Sequence, residues 1–387
     1  MSELATLIAG RAATDVPFAA YVHIPFCSVR CGYCDFNTYV ADFGPGAERT
    51  SFHHSVRREI DWAADALGSA PALDTIFFGG GTPTQLPASH LAAIKRTLLA
   101  TWGAQSGLEV TTEANPDSID DAYCAELAAA GFTRISLGMQ SSDPHILHLL
   151  DRTHNPANVR LAVQSARKNG LAVSLDLIYG TPGESAASWR ASVEAALELA
   201  PDHISAYALG IEPGTKLGAA LARGDFPPVN PDEQAERYEL ADELLHAAGY
   251  RWYEVSNWAR PGRECRHNLH YWRGANWWGF GPGAHSHIAG VRWMNTKHPL
   301  AYATSFARGG PATDIEQLTA EQREEERVML GVRLAEGLAI PTTPPAVVTE
   351  LVDDGLITAA GAAAGRAILT RRGRLLADHV TYRLLGI

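Results

Sequence analysis

The chain is poor in cysteine, with five in 387 residues, and has no apolar run approaching the ~20 residues of a membrane-crossing helix. Five cysteines, three of them clustered, fit a metal site in a reducing compartment better than a disulfide framework, so a reducing compartment is expected. Positive charge is also scarce: 32 Lys and Arg against 43 Asp and Glu give a formal net charge of −11. That balance argues against the concentrated basic face a nucleic-acid partner requires, and none is expected. Arg371, Arg372 and Arg374 make the one tight basic cluster, which reads as a solvated turn. Residues 1–16 carry Glu3 and Asp15 and lack a basic stretch followed by an apolar core, so they read as an N-terminal tail and not a signal peptide. The expectation is a cytoplasmic protein with no transmembrane segment. At 46% hydrophobic and 19% charged residues, the composition is that of a globular protein.

From Pro17 onward, short β-rich runs alternate with helical patterns, which predicts βα units on a parallel sheet. Strands are expected over 19–23, 75–78, 108–112, 134–138, 172–178 and 203–207. Helices are expected over 54–66, 89–99, 119–130, 156–169 and 188–199. Six units over 17–218 make an α/β fold of the incomplete (βα)6 TIM type, whose chemistry belongs at the C-terminal ends of the strands. Those ends are loaded. They carry the cysteines, Gly79-Gly80-Gly81-Thr82-Pro83, Glu113-Ala-Asn115, Gln140, Asp176 within the fifth run, and Tyr207-Ala208. Beyond Gly218 the repeat stops. An α+β extension over 219–297 holds a helix at 232–248, then His267-Asn268-Leu269-His270-Tyr271-Trp272, then a glycine- and aromatic-rich stretch from Asn276 to His285. Residues 298–387 read as a small helical, winged-helix-like domain with its clearest helix over 321–334.

Cys27, Cys31 and Cys34 lie within eight residues after the first strand. The C-x3-C-x2-C spacing suits a [4Fe–4S] cubane, in which each thiolate takes a different iron and the fourth iron stays open to a small molecule. Structural zinc would need a fourth ligand, such as His23 or a remote cysteine. An electron-transfer ferredoxin would need a fourth cysteine.

The run Tyr21-Val-His-Ile-Pro-Phe-Cys27, continued through Cys31, Tyr33 and Cys34, together with the Gly79–Pro83 loop, resembles the radical S-adenosylmethionine (radical SAM) superfamily. The likeness is strongest to the branch shared by oxygen-independent coproporphyrinogen III oxidase and the haem chaperone HemW family, and it covers nearly the whole chain. The resemblance implies a radical SAM barrel with a [4Fe–4S] cluster on Cys27, Cys31 and Cys34, and SAM chelating the open iron. It also implies an electron donor that reduces the cluster, so that SAM is cleaved to methionine and a 5′-deoxyadenosyl radical. Tyr21, Gly80, Gly81, Thr82, Glu113, Gln140, Arg152, Asp176 and Ala208 match the family's SAM contacts, with Tyr33 on the adenine side.

Phe36 stands where the oxidase pattern has a fourth cysteine, and only about twenty residues precede the first strand. The stretch from His267 to Trp272 matches the HNxxYW signature of the HemW family, which implies haem as cargo, His267 as its ligand, and haem-accepting apoproteins as partners. His270 and Cys265 compete for the ligand role. The expectation is a haem chaperone, with no catalytic residue assigned. The alternatives are coproporphyrinogen III oxidation by radical decarboxylation, and another radical SAM tailoring enzyme or methyltransferase.

Overall fold

A computed structural model of the protein describes residues 3–12, 15–341 and 343–387. The expected tail at 1–16 is therefore described only in part. Within it, α1 (Glu3–Ile8) buries Leu4, Ala5 and Ile8 against the following helix.

Six strands, β1 (Phe18–Ile24), β2 (Leu73–Gly80), β3 (Ala104–Ala114), β4 (Arg134–Gln140), β5 (Ala172–Tyr179) and β6 (His203–Ala208), pair in sequence order, all parallel. The helices between them are α2 (Phe52–Leu67), α3 (Ala88–Trp102), α4 (Asp121–Ala129), α5 (Pro144–Leu149), α6 (Pro156–Lys168) and α7 (Ala186–Glu198). The expected runs and these elements differ by a few residues at most, except that α5 was not anticipated. The punctuation works as chemistry predicts. Asn155 caps α6 in a reciprocal box with Asn158, Pro156 takes the first turn, and Gly170 follows the helix at φ 76°.

Parallel strands need cover on both faces. Helices supply it outside, through Phe78, Ile135, Val173 and Ile204. The concave inner face is polar: Thr75, Glu109, Thr111, Glu113, Ser136, Ser174, Asp176, His203 and Ser205 all point to it by strand parity.

The sheet does not close. After α8 (Lys216–Arg223) and α9 (Pro231–Ala247), β7 (Arg251–Glu254) and β8 (Asn257–Ala259) extend it antiparallel beside β6. After α10 (Arg266–Trp272), β9 (Asn276–Phe280) joins the other edge parallel to β1. Next come β10 (His285–Ile288), β11 (Val291–Asn295) and, after α11 (Pro299–Ser305), β12 (Ala312–Gln317), giving this sheet twelve strands among the described residues. Buried Glu59 on α2 fastens this edge. It accepts from Trp278 Nε1 (3.4 Å), Gly281 N (2.7 Å), Asn295 Nδ2 (2.7 Å) and Tyr302 Oη (2.5 Å). Burial pushes its carboxyl up to about 7.

From α12 (Ala320–Gly331) on, a separate apolar cluster forms around Val332, Leu351, Leu356 and Val380. The basic cluster expected as a solvated turn is instead a docking element. Arg371 Nε (2.8 Å) and Arg374 Nη1 (2.7 Å) both reach the buried carboxylate of Asp242 on α9, and Arg374 lies 4.0 Å over the Trp252 ring. A carboxylate with a nearly buried side chain needs such partners, which the linear sequence does not reveal. Among the described residues no helix is long and apolar enough to cross a membrane.

Candidate functional site

β1 runs directly into the cysteine loop, which is pinched shut by Cys27 N donating to Tyr39 O (2.9 Å) and Tyr39 N to Pro25 O (2.7 Å). Cys27 is buried, Cys31 and Cys34 are partly exposed, and all the cysteines are free. The glycine turn after β2 seats beneath this loop: Gly81 N donates to Ile24 O and Thr82 N to Phe26 O, both at 2.8 Å. A side chain at 81 would fill that seat, because a Cβ would stand 2.6 Å from Phe26 O and 3.0 Å from Cys27 Sγ. Each sulfur has a polar neighbour: Thr82 Oγ1 for Cys27 (3.9 Å), Arg152 Nη1 for Cys31 (3.4 Å) and Thr38 Oγ1 for Cys34 (3.9 Å).

Among the described residues no three His, Cys, Asp or Glu side chains converge as a single metal ion requires. A cubane makes no such demand, since its irons are reached one per thiolate. Three free thiols on one short loop are a donor set that fits such a cluster. Burial pushes the Cys27 thiol up to about 11 and raises that of Cys34, so iron must displace protons there.

Around the sulfurs stand most of the residues matched to SAM. Gly80 N donates to Glu113 Oε2 (3.1 Å), and burial, with Asp176 nearby, pushes the Glu113 carboxyl up to about 8. Asp176 accepts from Ser136 (2.9 Å) and Ser205 (2.5 Å), and burial raises its pKa too. Gln140 takes φ 62° at a register shift in β4, two residues beyond the expected strand end. Arg152 spans the site. Besides Cys31 it holds Asn115 Oδ1 (2.7 Å) and the Gly138 carbonyl (3.0 Å). Tyr33 faces Arg152 and Cys31, and burial raises its phenol. Tyr21 Oη donates to His23 Nδ1 (3.0 Å), and His23 Nε2 donates to Asn37 O (3.0 Å), which fixes that imidazole as one neutral tautomer. Ala208 is exposed at the end of β6, opposite Tyr179.

A cavity of about 600 Å³ opens between the cysteine loop and the β9–β10 edge, with Tyr21, Gly80 and Glu113 on its inner wall. Asn115, Tyr271, Trp277, His285 and Lys297 were not assigned to the site from sequence. The signal for the last three was the glycine-rich stretch before His285. Gly281 (φ 101°) passes so near β1 that a Cβ would meet His23 O at 2.4 Å, and Gly283 (φ 74°) lies as tightly against Asn37. Asn37 Nδ2 then ties the cysteine loop to Pro282 O (2.9 Å) and Lys297 O (2.8 Å).

His267 sits deeper, 2% exposed on α10. Its Nδ1 meets Thr75 Oγ1 (2.7 Å), its Nε2 meets Tyr271 Oη (2.9 Å), and its ring stacks on Phe77 with centroids 5.1 Å apart. Burial drives its pKa down to about 3. Glu109 accepts from the backbone nitrogens of Arg266 (3.2 Å) and His267 (3.1 Å) and anchors the helix start. His270 Nε2 is held by Asp74 (2.6 Å), and Cys265 Sγ by Glu109 (3.6 Å). Replacing His267 by alanine is expected to cost about 2–4 kcal/mol of stability by stranding the buried Thr75 hydroxyl, freeing that of Tyr271 and opening a void. Chemical denaturation checks this, and an unshifted midpoint would remove the packing role.

A model of the Radical SAM superfamily matches residues 21–196, so the chain carries a radical SAM domain there. A solved structure described as coproporphyrinogen III oxidase (HemN) from Escherichia coli, a radical SAM enzyme, superposes with a TM-score of 0.83, at 22% identity over 99% of this chain and 93% of that one. At that identity the likeness speaks to fold alone. A heme chaperone HemW from Mycobacterium tuberculosis is 46% identical over 375 residues, 96% of this chain and 95% of the relative. One from Bacillus subtilis is 34% identical over 382 residues, 95% of this chain and 99% of the relative. The chain belongs to the heme chaperone HemW family. Membership of the radical SAM superfamily implies a [4Fe–4S] cluster and SAM.

Proposed function

We propose that this protein is a haem chaperone on a radical SAM scaffold, which binds haem at the cavity and hands it to haem-accepting apoproteins. The near full-length likeness to proteins named heme chaperone carries the reading. Cys27, Cys31 and Cys34 would hold the cluster, which when bound supplies an open iron and one electron from a donor. Gly80, Gly81 and Thr82 let backbone approach that iron. Glu113 would meet the cationic part of SAM, Arg152 its carboxylate, and Asp176 and Gln140 its ribose, while Tyr21, Tyr33 and Ala208 complete the pocket. His267 sets the position of Tyr271 on the cavity wall. It would take haem iron only by giving up Thr75 or Tyr271. Phe36 at the fourth-cysteine position favours delivery over porphyrinogen oxidation.

The Glu113 carboxyl gives SAM binding a pH dependence. Its pKa is raised to about 8, so the group is neutral below that value and becomes the anion a sulfonium or ammonium prefers as pH rises. Affinity for SAM should therefore climb by up to about tenfold per pH unit towards pH 8 and level off above. Equilibrium dialysis of wild type against Glu113→Gln checks this. A flat wild-type profile would take Glu113 away from the cation.

To separate chaperone from oxidase, the anaerobically reconstituted protein is given SAM, a reductant and either haem or coproporphyrinogen III. Stoichiometric haem binding with coproporphyrinogen left unchanged is expected, whereas formation of protoporphyrinogen would overturn the proposal.

A further inference from the structure

Two histidines line the cavity, His23 and His285. His23 is buried with both ring nitrogens engaged, by Tyr21 and by the Asn37 carbonyl. His285 differs in each respect. It opens β10 beside the glycine loop, its side chain is exposed, and among the described residues its imidazole has no hydrogen bond. Its carbonyl accepts from Trp277 Nε1 (3.1 Å), which places that indole on the same wall.

The surroundings suit a flat, dianionic macrocycle. Trp277 and Tyr271 pack edge to face, with centroids 4.9 Å apart, and together with Tyr39 and exposed Phe36 they supply aromatic surface for a porphyrin face. Arg30 and Lys297 bring cations to the same cavity for carboxylates, and among the described residues neither is in an ion pair. The other imidazoles near the motif, His267 and His270, are committed to Thr75, Tyr271 and Asp74.

We infer that His285 is the axial ligand to haem iron in the cavity between the cysteine loop and β10, with Trp277 and Tyr271 against the porphyrin and Lys297 and Arg30 receiving its propionates. This rests on the haem-chaperone reading and names its ligand. An accessible imidazole can bind iron without breaking a fold contact, and a half-open cavity lets the cargo leave again. Desolvation on the cavity side and nearby Lys297 lower the His285 pKa, a direction that favours the neutral, ligating ring.

The test titrates hemin into cluster-reconstituted wild type and into His285→Ala, His285→Cys, Lys297→Glu and His267→Ala proteins, following the Soret band and the cluster absorbance. His285→Ala is expected to lose the histidine-ligated spectrum and at least about tenfold in affinity, with the cluster absorbance retained and free imidazole restoring ligation. His285→Cys should give a thiolate-type spectrum, and Lys297→Glu should weaken binding without changing the spectrum. A wild-type spectrum in both His285 variants would overturn the assignment, as would loss of ligation in His267→Ala alone with its thermal transition intact. Failure of wild type to bind haem stoichiometrically would instead overturn the underlying reading.

Discussion

Replacing Cys27 by alanine should drop the iron recovered after anaerobic reconstitution from about four per chain to under about one. A three-thiolate cluster has no spare protein ligand. Cys27 is the buried thiol of the set, and it carries the contact with the glycine turn: Thr82 Oγ1 lies 3.9 Å from its sulfur, and a Cβ at position 81 would stand 3.0 Å from it. Removing it takes away the ligand nearest the place where SAM would meet backbone. The two remaining cysteines, Cys124 on α4 and Cys265 held by Glu109, sit in other parts of the fold and offer no substitute. Iron and sulfide analysis with the visible spectrum checks the result. A full complement of iron in the alanine protein would break the metal assignment.

The second large effect concerns Glu59, which no sequence motif marks. Glu59→Ala should cost at least about 3 kcal/mol, because four donors from β9, the glycine loop, β11 and α11 lose their acceptor inside the core. β9 and the glycine loop line the cavity beside His285, so haem affinity should fall with stability. The pH dependence has a definite sign. With the folded carboxyl at about 7 and its ordinary value 4.5, the unfolded chain gives up this proton first as pH rises. The group's contribution is thus fully present below 4.5 and declines by up to about 1.4 kcal/mol per pH unit as pH rises towards 7. Glu59→Gln should flatten that part of the profile. Denaturation curves across this window test both statements, and parallel profiles for wild type and Glu59→Gln would refute the second.

The parallel core was legible because its signals are local. β-Rich runs, the Asn155–Pro156 helix start and the loaded strand ends each sit within a few residues of one another. The structure gathers Cys31, Arg152 and Tyr33, and separately Gly80, Glu113 and Tyr21. What was not legible depends on distant pairing. Nothing near Trp277 announces that β9 will run parallel to β1, some 250 residues earlier, or that Asp242 waits for Arg371 and Arg374. The HNxxYW motif was visible as a string, but its chemistry was not. Only the fold shows that Thr75, Phe77 and Tyr271 occupy His267, while an unremarked histidine closing a glycine run faces the cavity.

The account turns on haem being carried and released. The most direct measurement loads the reconstituted protein with one equivalent of haem, adds an apo-haemoprotein across a stopped-flow mixer, and follows the acceptor's own Soret band. Transfer at a rate that depends on acceptor concentration and exceeds the spontaneous loss of haem to a passive scavenger is the predicted result. Equal rates to acceptor and scavenger would mean that the protein merely leaks haem, and would contradict the chaperone account.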